Sequence, residues 1–158
     1  MLRKFKNDYY TGQFVSGKFT YKLKYEDDTY ISIMLVDNRY ISPGAAHSII
    51  SAMCVTYDKN SGEKLPLAYF VKLTPSDLNT IISMPLYDEN NRLIPYKESN
   101  KEDYIKSGHA EISSNYYLEG NGKIALVYQP YALASFAHGF THITLDSNII
   151  DYFNRKNP

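Results

Sequence analysis

Residues 113–145 read SSNYYLEGNGKIALVYQPYALASFAHGFTHITL. Ser113 to Leu118 and Lys123 to Tyr128 have the aromatic and aliphatic content of strands. Glu119-Gly120-Asn121-Gly122 between them is turn chemistry, because glycine and asparagine tolerate positive φ. The stretch predicts an antiparallel hairpin. Pro130 removes a ladder donor and ends the second strand. Ala132 to Ala137 predict a short irregular or one-turn helical crossing, Gly139 releases the chain, and Phe140 to Leu145 predict another strand.

Outward from this centre the pattern continues. Lys18 to Tyr25 alternates Phe19, Tyr21, Leu23 and Tyr25 with polar residues, a strand with one wet face. Thr29 to Val36 is too continuously apolar for a wet face and reads as a central strand, paired with the first through the Glu26-Asp27-Asp28 turn. Ser48 to Tyr57 is a third long strand, Asp58 to Gly62 a turn, and Glu63 to Leu67 a short return strand. Thr74-Pro75-Ser76-Asp77 starts a helix with a cap, a proline in the first turn and an acid, and Leu78, Ile81 and Ile82 form its apolar stripe. Tyr87 to Lys106 reads as a polar surface excursion with one helical turn around Lys101 to Ile105. Asp146 caps a terminal helix carrying Ile149, Ile150 and Phe153. Strands, helix, strands, helix is the order of an α+β domain: a mainly antiparallel twisted sheet with two helices packed on it.

The length of 158 residues suits one domain, 1–158, with residues 1–17 as the remnant of a preceding segment. Seventeen basic residues balance seventeen acidic ones, which argues against nucleic acid as the main partner. No apolar run approaches the roughly 18 residues of a membrane span. The first residues, MLRKFKNDYYTG, carry basic charge but no apolar stretch, so they do not read as a secretory leader. A lone cysteine, Cys54, excludes an internal disulfide framework and sits in the strand-like run SAMCVTY, where a buried inert thiol is expected. Sixteen tyrosines and no tryptophan fit half-buried sheet faces, or an aromatic platform for glycan or protein.

Three places invite chemistry. His138 and His142 are four residues apart, but Gly139, Thr141 and Ile143 argue against a helix; on a strand the pair would lie about 13 Å apart, too far for one ion. The string resembles the histidine motif of polysaccharide deacetylases, yet no paired-aspartate partner accompanies it, so no metal site is expected. His47 beside Ser48 points to the opposite strand face, and the better reading is a turn at Gly44 tied by His47. The corner after Pro130 remains: Leu133 inward, with Tyr131, Phe136 and His138 nearer the surface. The candidate binding set is Tyr131, Ser135, Phe136, Ala137 and His138, on structural turns at Gly44, His47, Pro130 and Gly139. Neither a catalytic group nor a cofactor is expected.

Three blocks together resemble a family. They are YISIMLVDNRYISPGAAHS (Tyr30 to Ser48), VTYDKNSGEKLPL (Val55 to Leu67), and Asn115 to Leu145 with Pro130-Tyr131, Ala134, Gly139 and a Thr-Ile strand in order. The blocks are similar to the extracellular C-terminal domain of RsiV-type anti-sigma factors, a domain also appended to some polysaccharide deacetylases as a non-catalytic portion. The family usually has an acid where Ala132 stands and often proline where Ser135 stands. The resemblance implies a non-catalytic module at the bacterial cell surface or outside the cell. It would meet the membrane only through an anchor that this chain does not contain. Its partner would be lysozyme or another wall-associated protein; peptidoglycan is the alternative, and a metal-dependent hydrolase the more distant one.

Overall fold

A computed structural model describes residues 16–41 and 46–157. Two antiparallel sheets and three helices make an α+β fold. The first sheet holds β1 (Ser16–Glu26), β2 (Tyr30–Tyr40) and β3 (Ile49–Asp58), in that order. The second holds β4 (Leu86–Tyr87), β5 (Leu93–Ile94), β6 (Tyr116–Gly120), β7 (Lys123–Tyr128) and β8 (Thr141–Leu145), in the order β5-β4-β8-β7-β6. The helices are α1 (Leu78–Ser83), α2 (Lys101–Lys106) and α3 (Ser147–Lys156). The antiparallel α+β class holds; the single sheet becomes two, and α2 is a third helix. Of the expected remnant at 1–17, residues 1–15 lie outside the described residues, whereas Ser16 and Gly17 begin β1. Among the described residues no helix is long and apolar enough to cross a membrane.

β7 shows why there are two sheets. Its sequence KIALVY is apolar on both faces, and both faces are buried. Ile124, Leu126 and Tyr128 join Ile81, Leu86, Leu133, Ile143, Leu145 and Phe153 in a core under the helices. Ala125 and Val127 point the other way, with Tyr117 and Phe140, against Met34, Val36, Ala52 and Cys54 of the first sheet. Burying each large aliphatic side chain is worth about 2 kcal/mol.

The Asn121-Gly122 loop has φ values of 52° and 70°, the mirror-image turn that matches strand twist. The β6 strand begins three residues later than the sequence suggests. Ser113 Oγ donates to Val127 O at 2.6 Å, and the Asn115 side chain turns away to the first sheet. A bulge at Lys24 shifts the β1 register from Leu23↔Ile33 to Tyr25↔Ser32 and turns Tyr25 inward. Tyr25 then lies against Gly120, where a Cβ would sit 2.9 Å from its ring.

Two regions depart from expectation. The return after Gly62 makes one bridge, Tyr57↔Lys64, and Pro66 follows at once. Tyr87 to Lys106 is less of an excursion than its polarity suggests, because Leu86–Tyr87 and Leu93–Ile94 form the edge hairpin of the second sheet. Asp88 is buried in the turn between them, where Oδ1 accepts from Asn90 N and Arg92 N. Buried Asp77 ties the start of α1 to the end of α3. It accepts from Thr74 N and Asn157 Nδ2, each at 2.9 Å, and from Lys156 Nζ. Burial pushes its pKa up, but these hydrogen bonds outweigh burial and hold the carboxyl well below the usual range.

Candidate functional site

The corner from Gln129 to Phe140 is held at both ends and pinned at its middle, and it presents Tyr131 on one side of that pin and Ser135 and Ala137 on the other. β7 ends at Tyr128, and the Gln129 side chain turns onto the open edge of β3, accepting from Ala52 N at 3.0 Å and donating to Ala52 O at 2.7 Å. Asn115 completes the clamp: Oδ1 accepts from Cys54 N at 2.6 Å and Nδ2 donates to Ala52 O at 3.1 Å. Two side-chain amides thus satisfy edge groups that a fourth strand would otherwise pair.

Ala132 N donates to Gln129 O at 3.1 Å, closing a turn with Pro130 and Tyr131 at its central positions. Pro130 suits the first of these positions. Tyr131 has φ 71°, the left-handed region in which a type II turn normally places glycine. A bulky aromatic there is strained, at a cost of about 1–3 kcal/mol. The strain aims the ring outward, where it is 57% exposed. Leu133 and Ala134 then plunge into the core, and Leu133 O accepts from Asn100 N at 2.8 Å. These two residues anchor the loop from beneath. A 3-10 turn, Phe136–His138, follows, and Gly139 (φ 65°, ψ −141°) releases the chain in a conformation open essentially to glycine alone.

The structure brings together two places that lie far apart in the sequence. Exposed His47, from the β2–β3 connection, reaches across to the corner. Its ring stacks on Phe136 with centroids 4.1 Å apart and planes at 19°, and its Nε2 lies 2.7 Å from Tyr131 Oη. Nδ1 lies 3.1 Å from Ser48 O, which can only accept, so Nδ1 carries a proton. In the neutral ring Nε2 therefore accepts from the Tyr131 phenol. Tyr131 and Phe136 complete the triangle at 5.5 Å. The result is an aromatic cluster of three rings, each in contact with the other two.

The remaining candidate residues fall around this face. Ser135 and Ala137 are exposed; Pro130, Phe136, His138 and Gly139 are half-buried. Gly44 lies outside the described residues, so the turn assigned to it has no structural account. His138 and His142 do not share a strand: Gly139 breaks the chain between them, and His142 is buried on β8, stacked on Tyr87 at 5.6 Å. Burial, helped by the charge of Lys24 and opposed by Asp88, pushes its pKa down to about 4, so the ring is neutral. Glu119 Oε1 is 3.6 Å from Nε2, and at that distance it does not offset the loss of water. Among the described residues no three His, Cys, Asp or Glu side chains gather within reach of one metal ion. The buried Cys54 thiol is pushed up to about 12 by burial.

A roomier cleft of about 590 Å³ lies elsewhere, lined by Leu67, Val71, Leu73, Leu78 and Ile112. Its lining is mainly apolar, with Glu111 as its one charged side chain, and volume alone does not make it the better site. The Gln129 and Asn115 clamps and the reach of His47 to Tyr131 went unread in the sequence. An amide at a strand end has no periodicity, and His47 and Tyr131 are 84 residues apart.

No protein-family model matches this chain, and no curated protein is significantly similar to it. Solved structures share its fold. A DUF3298 family protein from Pseudomonas aeruginosa is similar with a TM-score of 0.58 and 12% identity, over 86% of this chain and 60% of that one. A member of the same family from Bacteroides fragilis is similar with a TM-score of 0.61 and 14% identity, over 96% of this chain and 60% of that one. The chain spans about 60% of the length of each. At such identities the likeness is one of fold.

Proposed function

We propose that this chain is a non-catalytic binding module of the bacterial cell envelope, acting outside the cell, that recognises a wall-associated protein such as lysozyme through the Tyr131–His138 corner. The observation that carries the reading is Tyr131: a half-exposed aromatic ring held in a left-handed conformation and braced by His47 and Phe136. Backbone strain is retained where the surrounding structure enforces it, and it clusters at ligand-contacting loops. Preformed aromatic anchors lose little entropy on binding and commonly dominate interfaces. The fold shared with DUF3298 family proteins supports the reading, since RsiV-type C-terminal domains carry that region.

Titration calorimetry with lysozyme tests it. Saturable binding should weaken by about tenfold or more in Phe136→Ala and Tyr131→Ala, the loss of one aromatic anchor. Absence of saturation at high concentration, or equal affinity of the variants, refutes the lysozyme reading. A second reading rests on the same three rings, since aromatic side chains also pack against sugars; sedimentation with purified peptidoglycan separates the two.

A further inference from the structure

A second surface lies away from the corner. β1 is an edge strand of the first sheet and, among the described residues, pairs only with β2. Ala52 and Cys54 direct their N–H groups away from β2, toward Gln129 and Asn115. Alternation along an antiparallel ladder then fixes the far side: Lys18, Thr20 and Lys22 bond to β2, while the N–H and C=O groups of Phe19, Tyr21 and Leu23 point outward. Before the bulge, β1 therefore offers a run of open backbone donors and acceptors.

The side chains on that edge are sorted by face. Phe19, Tyr21 and Leu23 are exposed at 51%, 73% and 54% and continue across the sheet to Met53 at 42%. Register places Tyr21 beside Leu35 and Leu35 beside Met53 on one outer surface. Lys18, Lys22 and Lys24 occupy the other face; Lys22 Nζ lies 3.7 Å from Glu89, and Lys24 Nζ sits 4.2 Å above the Tyr117 ring.

We propose that β1 is a docking edge for an extended protein segment in which apolar and acidic residues alternate. Added as a fourth strand, such a segment would take up the open ladder. Its apolar side chains would extend the Phe19–Leu23 surface, and its carboxylates would lie beside the lysines. The same lysines disfavour a second copy of this chain. An antiparallel pair centred on Thr20 sets Lys18 against Lys22, and a parallel pair sets each lysine against its own copy. Charge thus selects the partner and suppresses self-association with one set of residues.

The test uses the full chain and two capped peptides of roughly eight residues, long enough for one strand, alternating valine with glutamate or valine with lysine. Amide hydrogen exchange is followed by NMR. The glutamate peptide slows exchange at Phe19, Tyr21 and Leu23, and added salt weakens the effect; the lysine peptide leaves these amides unchanged. Tyr21→Pro deletes one outward N–H at an edge position where proline is tolerated, so it weakens the glutamate peptide by about tenfold while far-ultraviolet circular dichroism stays native. The double variant Lys18→Glu with Lys22→Glu transfers the preference to the lysine peptide. No protection by the glutamate peptide, equal response to both peptides, or indifference to Tyr21→Pro overturns the proposal. So does slow exchange at these amides in the free protein: in dilute solution it would mean the chain covers its own edge, and at high concentration alone, a second copy.

Discussion

Replacing Tyr131 by glycine and by alanine separates strain from contact. The residue sits at φ 71°, the second central position of the turn closed by Ala132 N and Gln129 O. Glycine reaches that conformation freely, whereas alanine keeps the Cβ clash and loses the ring. Ordinarily glycine is less stable than alanine by about 0.5–1 kcal/mol, because its unfolded state is freer. Strain of about 1–3 kcal/mol at a left-handed non-glycine residue works the other way. The balance leaves Tyr131→Gly more stable than Tyr131→Ala by about 1 kcal/mol. The ring's own contacts, a solvent-exposed hydrogen bond to His47 and the Phe136 edge, place wild type near the glycine variant. Urea titration reads the difference. With a slope near 2 kcal/mol per molar, the two midpoints should differ by about 0.5 M. Alanine equal to or above glycine would mean that Tyr131 is unstrained and that no strain marks the corner as a contact surface.

Acid provides an independent check of the interior. His142 is neutral when folded, with its pKa pushed down to about 4, against an ordinary value of about 6.5. Above the ordinary value neither state is charged; as pH falls through it the unfolded chain binds the proton first, so stability declines until pH approaches the folded value. The loss is on the order of 3 kcal/mol, and denaturant midpoints across that range should flatten in His142→Asn. Asp77 is shifted in the same direction, down, but by hydrogen bonds that favour its charged form: its stabilisation is present above the ordinary carboxylate value of about 4 and is lost as pH falls below it, a dependence that Asp77→Asn removes. Gly139→Ala forces a side chain into φ 65°, with its Cβ 3.3 Å from the Glu89 carboxylate, and should cost about 2 kcal/mol by urea titration. Gln129→Ala uncovers Ala52 N on the β3 edge, while Ala52 O keeps its bond from Asn115 Nδ2, and should cost about 1–3 kcal/mol, with faster amide exchange at Ala52.

Local chemistry was legible where it acts over a few residues. The Asn121-Gly122 loop, the proline break after β7 and the Asp146 cap, which accepts from Ile149 N at 3.0 Å, all follow from neighbouring residues. KIALVY read as a strand, but its two buried faces meant a second sheet, and periodicity cannot say what covers a face. The short strands Leu86–Tyr87 and Leu93–Ile94 escaped because two residues carry no period, and buried Asp88 looked like a surface acid. At the corner the aromatic residues could be named, but not the bracing of Tyr131 by His47, which depends on a contact across 84 residues. The φ of Tyr131 was equally hidden, since Pro-Tyr does not signal a left-handed second position as Pro-Gly would.

The proposed contact surface for a macromolecular partner is the Tyr131–Phe136–His47 face. Titrating lysozyme into isotope-labelled protein and mapping amide and aromatic NMR shifts tests it most directly. Saturable changes should concentrate at Tyr131 to His138 and at His47 and be absent in Phe136→Ala. Saturable changes centred elsewhere on the fold, or a corner left unmoved while lysozyme binds, would contradict it.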